Sequence, residues 1–242
     1  MQVVMNRMTN KFHCDFRHMP KGVHLKTVEL FSGTASFSRI ALQNGMQIKT
    51  YDIAESADEL VERTHTKCDI LDCSVAYPMQ PFMLWASPPC TTFSIASCST
   101  HWTPDKQPKT DACLRGLAIL HRTIEWISLY QPTWWFIENP RGIMRKVIDP
   151  IFKSHCINPI RHTITYCQYG DTRMKPTDIW TNADWWNPRP MCKNGMPCHE
   201  SAPRGSRTGT QGLKNNRARS VIPPELFQEI FEQLEDKGYE HE

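Results

Sequence analysis

Between residues 26 and 137, short apolar runs alternate with segments in which apolar residues recur at helical spacing. Five strands are predicted from the β-prone or apolar runs at residues 27–31, 47–51, 68–71, 81–86 and 133–137. Apolar residues recur at helical spacing in 36–44 and 114–127, and 58–65 predicts a short helix. Strands that alternate with helices predict an α/β fold, in which a mostly parallel, twisted sheet has helices on both faces.

The remainder of the chain has a different pattern. A pair of antiparallel strands is predicted at 163–167 and 178–182, and a last helix opens at Pro223 with apolar residues on one face. Residues 184–219 show neither a helical nor a strand period, and they hold four Gly, four Pro, and seven Lys or Arg against two acidic residues. The sequence thus predicts four segments: an N-terminal extension 1–25, an α/β body 26–182, a short basic segment 183–220 and, at 221–242, a C-terminal helix that closes onto the body.

Composition limits the class of protein. Of the 242 residues, 40% are hydrophobic and 22% are charged, which is typical of a folded domain. The net charge of +3 does not by itself indicate nucleic-acid binding. No apolar run approaches the roughly 18 residues of a membrane span, and the N-terminus lacks the apolar core of a signal peptide, so no membrane association is expected. The ten scattered cysteines are expected to be reduced thiols of a cytoplasmic protein, with a metal site or a nucleophile among them.

Polar residues follow the predicted strands at the points where the strands end. They are Ser32-Gly33, Asp52, Asp69, the turn Ser87–Cys90 and Glu138. In open α/β sheets, ligands bind outside the carboxyl ends of the strands, so these residues are expected to share one site. The presence of polar residues at the ends of several strands favours an enzyme over an α/β domain without catalytic function.

The first three of these strand ends suggest an adenosine-type cofactor. The glycine turn Phe31–Ser36 lets a ligand approach the backbone at a helix N-terminus, although tight turns also use glycine for structural reasons alone. Asp52, about twenty residues further on, is able to accept hydrogen bonds from ribose hydroxyls, and Asp69 and Ile70 are candidates to contact an adenine. The chain has no G-x-G-x-x-G sequence and no phosphate-binding lysine, so a phosphate-bearing nucleotide is not favoured.

Cys90 and Glu138 are the candidates for catalysis. Pro88 and Pro89 make the turn before Cys90 rigid, and a thiol at a strand end near helix N-termini is expected to have a lowered pKa and to act as a nucleophile. A carboxyl group at the end of an apolar strand can donate a proton or hydrogen-bond a protonated ring nitrogen. The alternatives are a buried, inert thiol and a glutamate that caps a helix or forms a salt bridge.

These residues occur in the order and spacing of the DNA cytosine-5 methyltransferases. The sequence resembles that family at five motifs, which are Phe31-Ser32-Gly33, Pro88-Pro89-Cys90, Glu138-Asn139, Tyr169–Lys175 and Val221–Leu226. The resemblance spans residues 26–234 and implies a Rossmann-like, S-adenosylmethionine-dependent methyltransferase fold with a small irregular target-recognition insertion. It also implies an activity, in which S-adenosylmethionine methylates C5 of a cytosine that has been flipped out of double-stranded DNA.

The resemblance implies a role for each motif residue. Cys90 is expected to attack C6 of cytosine, and Glu138 is expected to hydrogen-bond N3. Arg173 or Lys175 is expected to contact the flipped base or its phosphate. The cofactor pocket is expected to be formed by Phe31, Ser32, Gly33, Thr34, Asp52, Ile53, Asp69, Ile70, Pro88 and Ser220.

The sequence departs from the family pattern at four places. One is the arginine motif, which lacks the family's usual glutamine and has Lys175 in place of a second arginine. Ala35 and Ser36 stand where the family has further glycines, and Asp52 stands where it has glutamate. Arg219-Ser220 replaces a glycine-asparagine pair that the family has near the amino-acid end of the cofactor. The arginine is expected to contact the cofactor carboxylate or, as an alternative, a methyl donor with an additional acidic group.

The basic segment 183–220 takes the position of the family's longer target-recognition domain. The residues expected to contact phosphates or guanine edges of double-stranded DNA are Arg204, Arg207, Lys214 and Arg217. The candidate ligands of a structural zinc ion in the same segment are Cys192, Cys198 and His199. Their spacing does not identify a fourth ligand.

Three alternatives stay open. They are a catalytically inactive DNA-binding relative, a zinc-stabilised nucleic-acid-binding module, and the same chemistry on RNA or with a modified donor. Cys90, Glu138 and the glycine turn argue against the first two, because an inactive protein has no need of all three. The protein is expected to be a monomer in the cytoplasm of a prokaryote or of a phage-infected cell.

Overall fold

A seven-stranded sheet forms the centre of the protein in a computed structural model that describes residues 25–56, 58–73, 80–193, 195–201 and 215–237. Its strands are β1 (Lys26–Leu30), β2 (Gln47–Asp52), β3 (His65–Lys67), β4 (Met83–Ala86), β5 (Trp134–Pro140), β6 (Ile160–Thr165) and β7 (Pro176–Thr181). They lie in the order β3-β2-β1-β4-β5-β7-β6, and β7 runs in the direction opposite to the other six strands. The predicted α/β fold with a mostly parallel sheet is therefore confirmed.

Helices cover both faces of this sheet. The helices of the described residues are α1 (Ser36–Gln43), α2 (Glu59–Glu62), α3 (Cys98–His101), α4 (Asp111–Tyr130), α5 (Met144–Val147), α6 (Asp149–Ser154), α7 (Asn216–Ser220) and α8 (Pro224–Asp236). Trp85 of β4 packs between Phe37 of α1 and Phe227 of α8, with ring centroids 5.9 Å and 4.8 Å away. Leu84 points to the opposite layer, which contains Leu120 of α4. Strands buried on both faces explain why the apolar runs of the sequence are nearly continuous.

The boundaries of α4 follow from its end residues. The side chain of Thr110 accepts a hydrogen bond from Cys113 N at the start of the helix. The helix ends at Gln131, which adopts a left-handed conformation, and Pro132 cannot continue it. Neither α4, with its 20 residues, nor any other helix of the described ranges combines the length and apolar character of a membrane span.

The prediction of a third strand at residues 68–71 is wrong. The strand is β3 at His65–Lys67, which pairs with β2, whereas 68–71 forms a turn in which Asp69 Oδ1 accepts a hydrogen bond from Leu71 N at 3.1 Å. A three-residue strand at the edge of the sheet needs no apolar run, and the apolar Ile70 is buried from the turn instead. Helices α5, α6 and α7 were not predicted, since four to six residues are too few to establish a helical period.

Strand order reverses on the two sides of β1. The chain continues from β1 to β2 and β3 on one side, and β4 and β5 lie on the other side. Such a reversal opens a crevice at the carboxyl ends of the central strands, where open α/β sheets bind ligands. The division of the chain at residues 182 and 220 stays a prediction.

Glu29 of β1 holds the first turn of α1 in place through hydrogen bonds. Its carboxylate is buried in the middle of β1 and accepts hydrogen bonds from Phe37 N at 3.4 Å, from Ser38 N at 3.0 Å and from the Ser38 hydroxyl. Burial raises the pKa of Glu29 from its ordinary 4.5 to about 7, although the hydrogen bonds from Ser38 oppose the shift. The folded protein thus binds a proton on Glu29 that the unfolded chain releases between these two pH values.

We expect the folded protein to lose stability as pH rises through this range because of Glu29. The contribution is complete below pH 4.5 and is lost as pH rises through about 7. Between pH 5 and pH 8 we expect the free energy of unfolding of the wild type to fall by about 2 kcal/mol more than that of Glu29→Gln, whose side chain cannot ionise. Urea unfolding of both proteins across this range measures the difference, and Glu62→Gln, at an exposed position of α2, is the control. Parallel pH profiles of the wild type and Glu29→Gln would contradict the shift.

Candidate active site

A cavity of about 450 Å³ lies at the carboxyl ends of the central strands. Five of the residues predicted to bind a cofactor line it, namely Phe31, Asp52, Ile53, Asp69 and Ile70. The sequence analysis missed further lining residues from the loop after β4, from α3 and from α4, among them Thr91, Thr92, His101, Arg115 and Gly116. These residues gave no signal in the sequence because their contribution depends on how α4 packs over the crevice.

Asp52 joins the ends of β1 and β2 at the cavity. Its Oδ2 accepts a hydrogen bond from Gly33 N at 2.9 Å, and its Oδ1 accepts one from Ala54 N at 2.9 Å. The neighbouring Ile53 leaves 64% of its surface exposed although it is a large apolar residue. A carboxylate with remaining acceptor capacity beside an exposed apolar side chain suits a nucleoside, which has hydroxyls on its sugar and an apolar ring.

Asp69 and Arg115 form an ion pair at the same cavity. The Arg115 guanidinium donates to Asp69 Oδ2, and both side chains line the cavity. Arg115 comes from α4, 46 residues further along the chain, which is why the sequence pattern did not indicate it.

The other predicted cofactor residues, which are Ser32, Gly33, Thr34, Pro88 and Ser220, do not line the cavity. Ser32 N donates to Tyr51 O at 3.2 Å, and Thr34 Oγ1 lies 2.7 Å from Ser36 Oγ. The backbone of the turn is left-handed at Phe31, Gly33 and Ala35, with φ values of 61°, 36° and 54°. Glycine has no steric cost in this conformation, whereas an alanine such as Ala35 is strained. The hydroxyl of Ser220 donates to Arg217 O at 2.8 Å from an exposed position in α7.

Cys90 follows the end of β4, and Glu138 lies within the neighbouring strand β5. Residues Ala86 of β4 and Ile137 of β5 are partners in the parallel register, so the turn that carries Cys90 begins beside Glu138, which itself pairs with Ile179 of β7. Asn139 Nδ2 donates to Pro88 O at 2.9 Å and thereby ties the two motifs together in the buried interior.

The electrostatic surroundings of Cys90 are mixed. Burial and the negative charge of Glu138 raise the pKa of its thiol, while the positive charges of Lys175 and Arg219 lower it to a smaller extent. The lowered pKa predicted from the sequence is therefore wrong, because the loss of hydration outweighs the neighbouring cations. The charges of Glu138 and Lys175 both act on Cys90, so the structure places residues from three separate motifs close enough to interact electrostatically.

The carboxylate of Glu138 is buried, and its Oε1 accepts a hydrogen bond from the hydroxyl of Tyr166 at 2.8 Å. Burial and the charge of Glu138 raise the pKa of Tyr166 well above its ordinary value, so the hydroxyl remains a donor. Lys175 Nζ lies 4.6 Å from the centroid of the Tyr166 ring. The sequence gave no indication of Tyr166, since the residue lies outside the motifs and reaches Glu138 from the end of β6.

Arg173 and Lys175 have different environments. The buried guanidinium of Arg173 pairs with Asp171 at 2.8 Å and donates to the carbonyls of Arg219 and Val221, each at 3.0 Å. It thereby fixes the segment before α8 against the segment after β6. Lys175 Nζ donates to Arg219 O at 3.3 Å and faces the ring of Tyr166.

The loop after Cys90 is fixed on two sides. Ile143 N donates to Phe93 O at 2.8 Å, and a Cβ at Gly142 would meet the same oxygen at 2.1 Å, so only glycine fits there. On the other side, Trp102 Nε1 donates to Thr92 O at 2.7 Å from a buried position. The backbone between Cys90 and these anchors is therefore held in one conformation.

The three candidate zinc ligands lie together, and the structure adds a fourth. The ligand atoms of Cys192, Cys198, His199 and Cys167 are all within 4.8 Å of one another. Cys167 belongs to the 3-10 helix Tyr166–Tyr169 that follows β6. Its distance of 25 residues from Cys192 along the chain hid it from an analysis of spacing.

The predicted DNA contacts are described in part. Arg204, Arg207 and Lys214 lie outside the described residues. Arg217 is exposed in α7, where its backbone N–H donates to Asn215 Oδ1 at 2.8 Å. Its assignment to DNA stays a prediction.

Comparison with known proteins finds a curated protein that is similar to this chain over most of its length. A protein of frog virus 3 (isolate Goorha), named "Probable DNA (cytosine-5)-methyltransferase", is 28% identical over 228 residues, which covers 86% of this chain and 99% of that protein. This similarity confirms the resemblance inferred from the motifs. No protein-family model matches the chain.

Two solved structures are similar at lower identity. One is a prophage-encoded protein of E. coli assigned as a DNA modification methyltransferase, with 17% identity, a TM-score of 0.46, and coverage of 65% of this chain and 46% of that one. The other is the S. pombe Dnmt2 methyltransferase, with 12% identity, a TM-score of 0.44, and coverage of 66% and 49%. This chain spans about half the length of each of the two solved structures.

Proposed function

Because the chain resembles the DNA cytosine-5 methyltransferases in its motifs and, over most of its length, in sequence, we propose that it methylates C5 of cytosine in double-stranded DNA with S-adenosylmethionine as donor. The hydrogen bond from Asn139 to Pro88 is the observation that supports this most strongly. It joins the Pro88–Cys90 turn to the end of β5, and so a nucleophilic sulfur and a buried carboxylate belong to one rigid unit beside the cavity.

The residues of the cavity fit the donor. A volume of about 450 Å³ lies within the range of small-molecule sites, about 300 to 1,000 Å³. Asp52 would accept from the ribose hydroxyls, while Ile53 and Ile70 would contact the adenine. When bound there, S-adenosylmethionine supplies a methyl group that its positive sulfur makes electrophilic.

Cys90 is proposed to form a covalent bond to the substrate. A stacked duplex gives no access to C6 of cytosine, so the base is flipped out before the reaction. The Cys90 thiolate adds to C6, the electron pair of the C5–C6 bond moves to C5, and C5 takes the methyl group. A water molecule then takes the C5 proton, the electron pair of that C–H bond restores the C5–C6 double bond, and the sulfur leaves C6 as a thiolate. Because the pKa of Cys90 is raised, the resting thiol is protonated, and it gives its proton to water before the sulfur adds to C6.

Glu138 is proposed to hold a proton at N3 of the cytosine. Tyr166 donates to Oε1 of Glu138, and this hydrogen bond fixes the orientation of the carboxyl group. The other oxygen, Oε2, is assigned to N3, where a proton neutralises the negative charge that develops as the sulfur adds to C6. Burial of Glu138 excludes water from this hydrogen bond.

Lys175 is the better candidate for the cation that contacts the flipped nucleotide. The guanidinium of Arg173 is already engaged by Asp171 and by backbone carbonyls, which makes Arg173 a positioning residue. Lys175 has a flexible side chain, and its charge acts on Cys90. We expect the basic segment 183–220 to bind DNA phosphates and the protein to act as a monomer.

Methyl transfer from tritiated S-adenosylmethionine to double-stranded DNA tests the proposal. We expect label in the DNA, and we expect hydrolysis of that DNA to nucleosides to give 5-methylcytosine. Label at an exocyclic nitrogen, in RNA alone, or in no nucleic acid would contradict it. A donor with an additional carboxylate, supplied in a parallel reaction, tests the alternative raised by Arg219.

Asp52→Asn is expected to raise the KM for S-adenosylmethionine by about tenfold with a smaller effect on kcat. The amide nitrogen of asparagine cannot accept the hydrogen bond that Gly33 N donates to Oδ2, and the charged acceptor for the ribose is lost. Steady-state kinetics and calorimetric titration with S-adenosylhomocysteine measure the change. Asp105→Asn, at an exposed position of the loop before α4, is the matched control. An unchanged KM would show that the ribose lies elsewhere.

A further inference from the structure

We propose that Cys167, Cys192, Cys198 and His199 form a Zn²⁺ site that joins the basic segment to the catalytic body. The ligand atoms of all four residues lie within 4.8 Å of one another. Cys192 Sγ and Cys198 Sγ are each 3.6 Å from His199 Nδ1, and the two sulfurs are 3.2 Å apart. Three sulfurs and one imidazole nitrogen complete the ligand set of a structural zinc site.

The separations among Cys192, Cys198 and His199 agree with tetrahedral coordination. Zinc bond lengths of about 2.3 Å to sulfur and about 2.05 Å to nitrogen place neighbouring sulfur and nitrogen ligands about 3.6 Å apart and neighbouring sulfurs about 3.8 Å apart. Both sulfur–nitrogen distances match the first value, and the sulfur pair is within about 0.6 Å of the second. A set with three thiolates favours zinc over magnesium or calcium, which prefer oxygen ligands.

The surrounding chain holds the ligands in place from two directions. Cys192 N donates to Thr165 Oγ1 at 2.8 Å, which fixes Cys192 at the end of β6 beside Cys167. Arg189 donates to Glu229 Oε2 at 2.9 Å and ties the start of the basic segment to α8. The cluster therefore closes a connection between two parts of the chain that are distant in sequence.

A metal ion would add to the anchors that the basic segment already has before α7, which are the buried Trp186 and the Arg189–Glu229 ion pair. Residues 183–193 and 195–201 contain no helix or strand, so backbone hydrogen bonds of regular structure do not stabilise them. In small irregular segments a metal ion supplies folding free energy that the apolar core does not. The ion would also act on the active site, because Cys167 is adjacent to Tyr166, whose hydroxyl donates to Glu138.

A disulfide between Cys192 and Cys198 is the competing state of the same two sulfurs. A disulfide bond is about 2.05 Å long, whereas these sulfurs are 3.2 Å apart and all described cysteines are free. A disulfide would leave Cys167 and His199 without a function in the cluster. The two states give different metal contents and different masses, so experiment distinguishes them.

Metal analysis of the purified full-length protein tests the site. We expect about one zinc ion per chain after dialysis against a weak chelator, and a loss of at least about tenfold for Cys167→Ser and Cys198→Ser. Cys156→Ser, at an exposed cysteine outside the cluster, is expected to keep the metal. Zinc at the wild-type level in Cys167→Ser would overturn the assignment of the fourth ligand.

A second measurement covers the case in which a buried variant fails to fold. Cobalt(II) replaces zinc in reduced wild-type protein and is expected to give the visible absorption of a tetrahedral thiolate complex, weakened in the exposed-ligand variant Cys198→Ser. Wild-type protein that holds no zinc and gives no cobalt spectrum would overturn the proposal, as would a Cys192–Cys198 disulfide found by mass spectrometry in protein purified under reducing conditions. Neither readout depends on methyl transfer, so the site can be present even if the proposed activity is absent.

Discussion

Cys90→Ser is expected to lower the rate of methyl transfer to DNA by about 10⁴-fold or more, because a serine hydroxyl at this position is a far weaker nucleophile than a thiolate. The proposed reaction has no path to an electron-rich C5 without addition at C6. Binding of DNA and of S-adenosylhomocysteine is expected to change little, since the side chains are similar in size. Single-turnover transfer from tritiated S-adenosylmethionine measures the rate.

A matched cysteine controls for the general effect of removing a thiol. Cys98, at the start of α3, is half-buried like Cys90, and Cys98→Ser is expected to stay within about twofold of the wild type. Transfer that survives Cys90→Ser at a comparable rate would remove the covalent mechanism, even if the protein proved to be a methyltransferase.

Glu138→Gln is expected to lower kcat by about 10³-fold while the KM for S-adenosylmethionine stays nearly constant. Glutamine keeps the size of the side chain and can still accept from Tyr166, but it cannot supply a proton to N3 of the cytosine. The effect belongs to the addition step, so it is expected in single-turnover as well as steady-state rates.

Two further variants separate protonation from positioning. Tyr166→Phe removes the hydrogen bond to Glu138 Oε1 and is expected to cost about tenfold in kcat, which is much less than the loss of the carboxyl group. Glu62→Gln on the surface of α2 is expected to have no effect. A raised KM with an unchanged kcat in Glu138→Gln would mean that Glu138 binds substrate without taking part in the chemistry.

The sequence predicted the strand ends well because those positions are determined locally. A buried parallel strand needs a continuous apolar run, and the polar residue that ends it then lies at the ligand-binding edge of the sheet. Asp52, the last residue of β2, follows this rule and lines the cavity. The position of β3 was the exception, because an edge strand of three residues does not need the apolar pattern.

Other parts of the site depend on packing between distant segments. Arg115 contacts Asp69 across 46 residues of sequence, and Tyr166 contacts Glu138 across 28. Cys167 lies in the short 3-10 helix after β6. No periodic pattern in the sequence marks these three residues. The pKa of Cys90 was predicted in the wrong direction for a related reason. Proximity to helix ends and cations is suggested by the motif, whereas the extent of burial depends on the folded chain.

Covalent trapping with DNA that contains 5-fluorocytosine tests the central claim most directly. The fluorine at C5 cannot leave as a proton does, so the sulfur stays bound to C6 after methyl transfer. We predict a stable complex of one protein chain with one DNA duplex that forms only with S-adenosylmethionine, and a peptide map that places the attachment at Cys90. Active protein that forms no such complex, or that is attached through a different residue, would contradict the account.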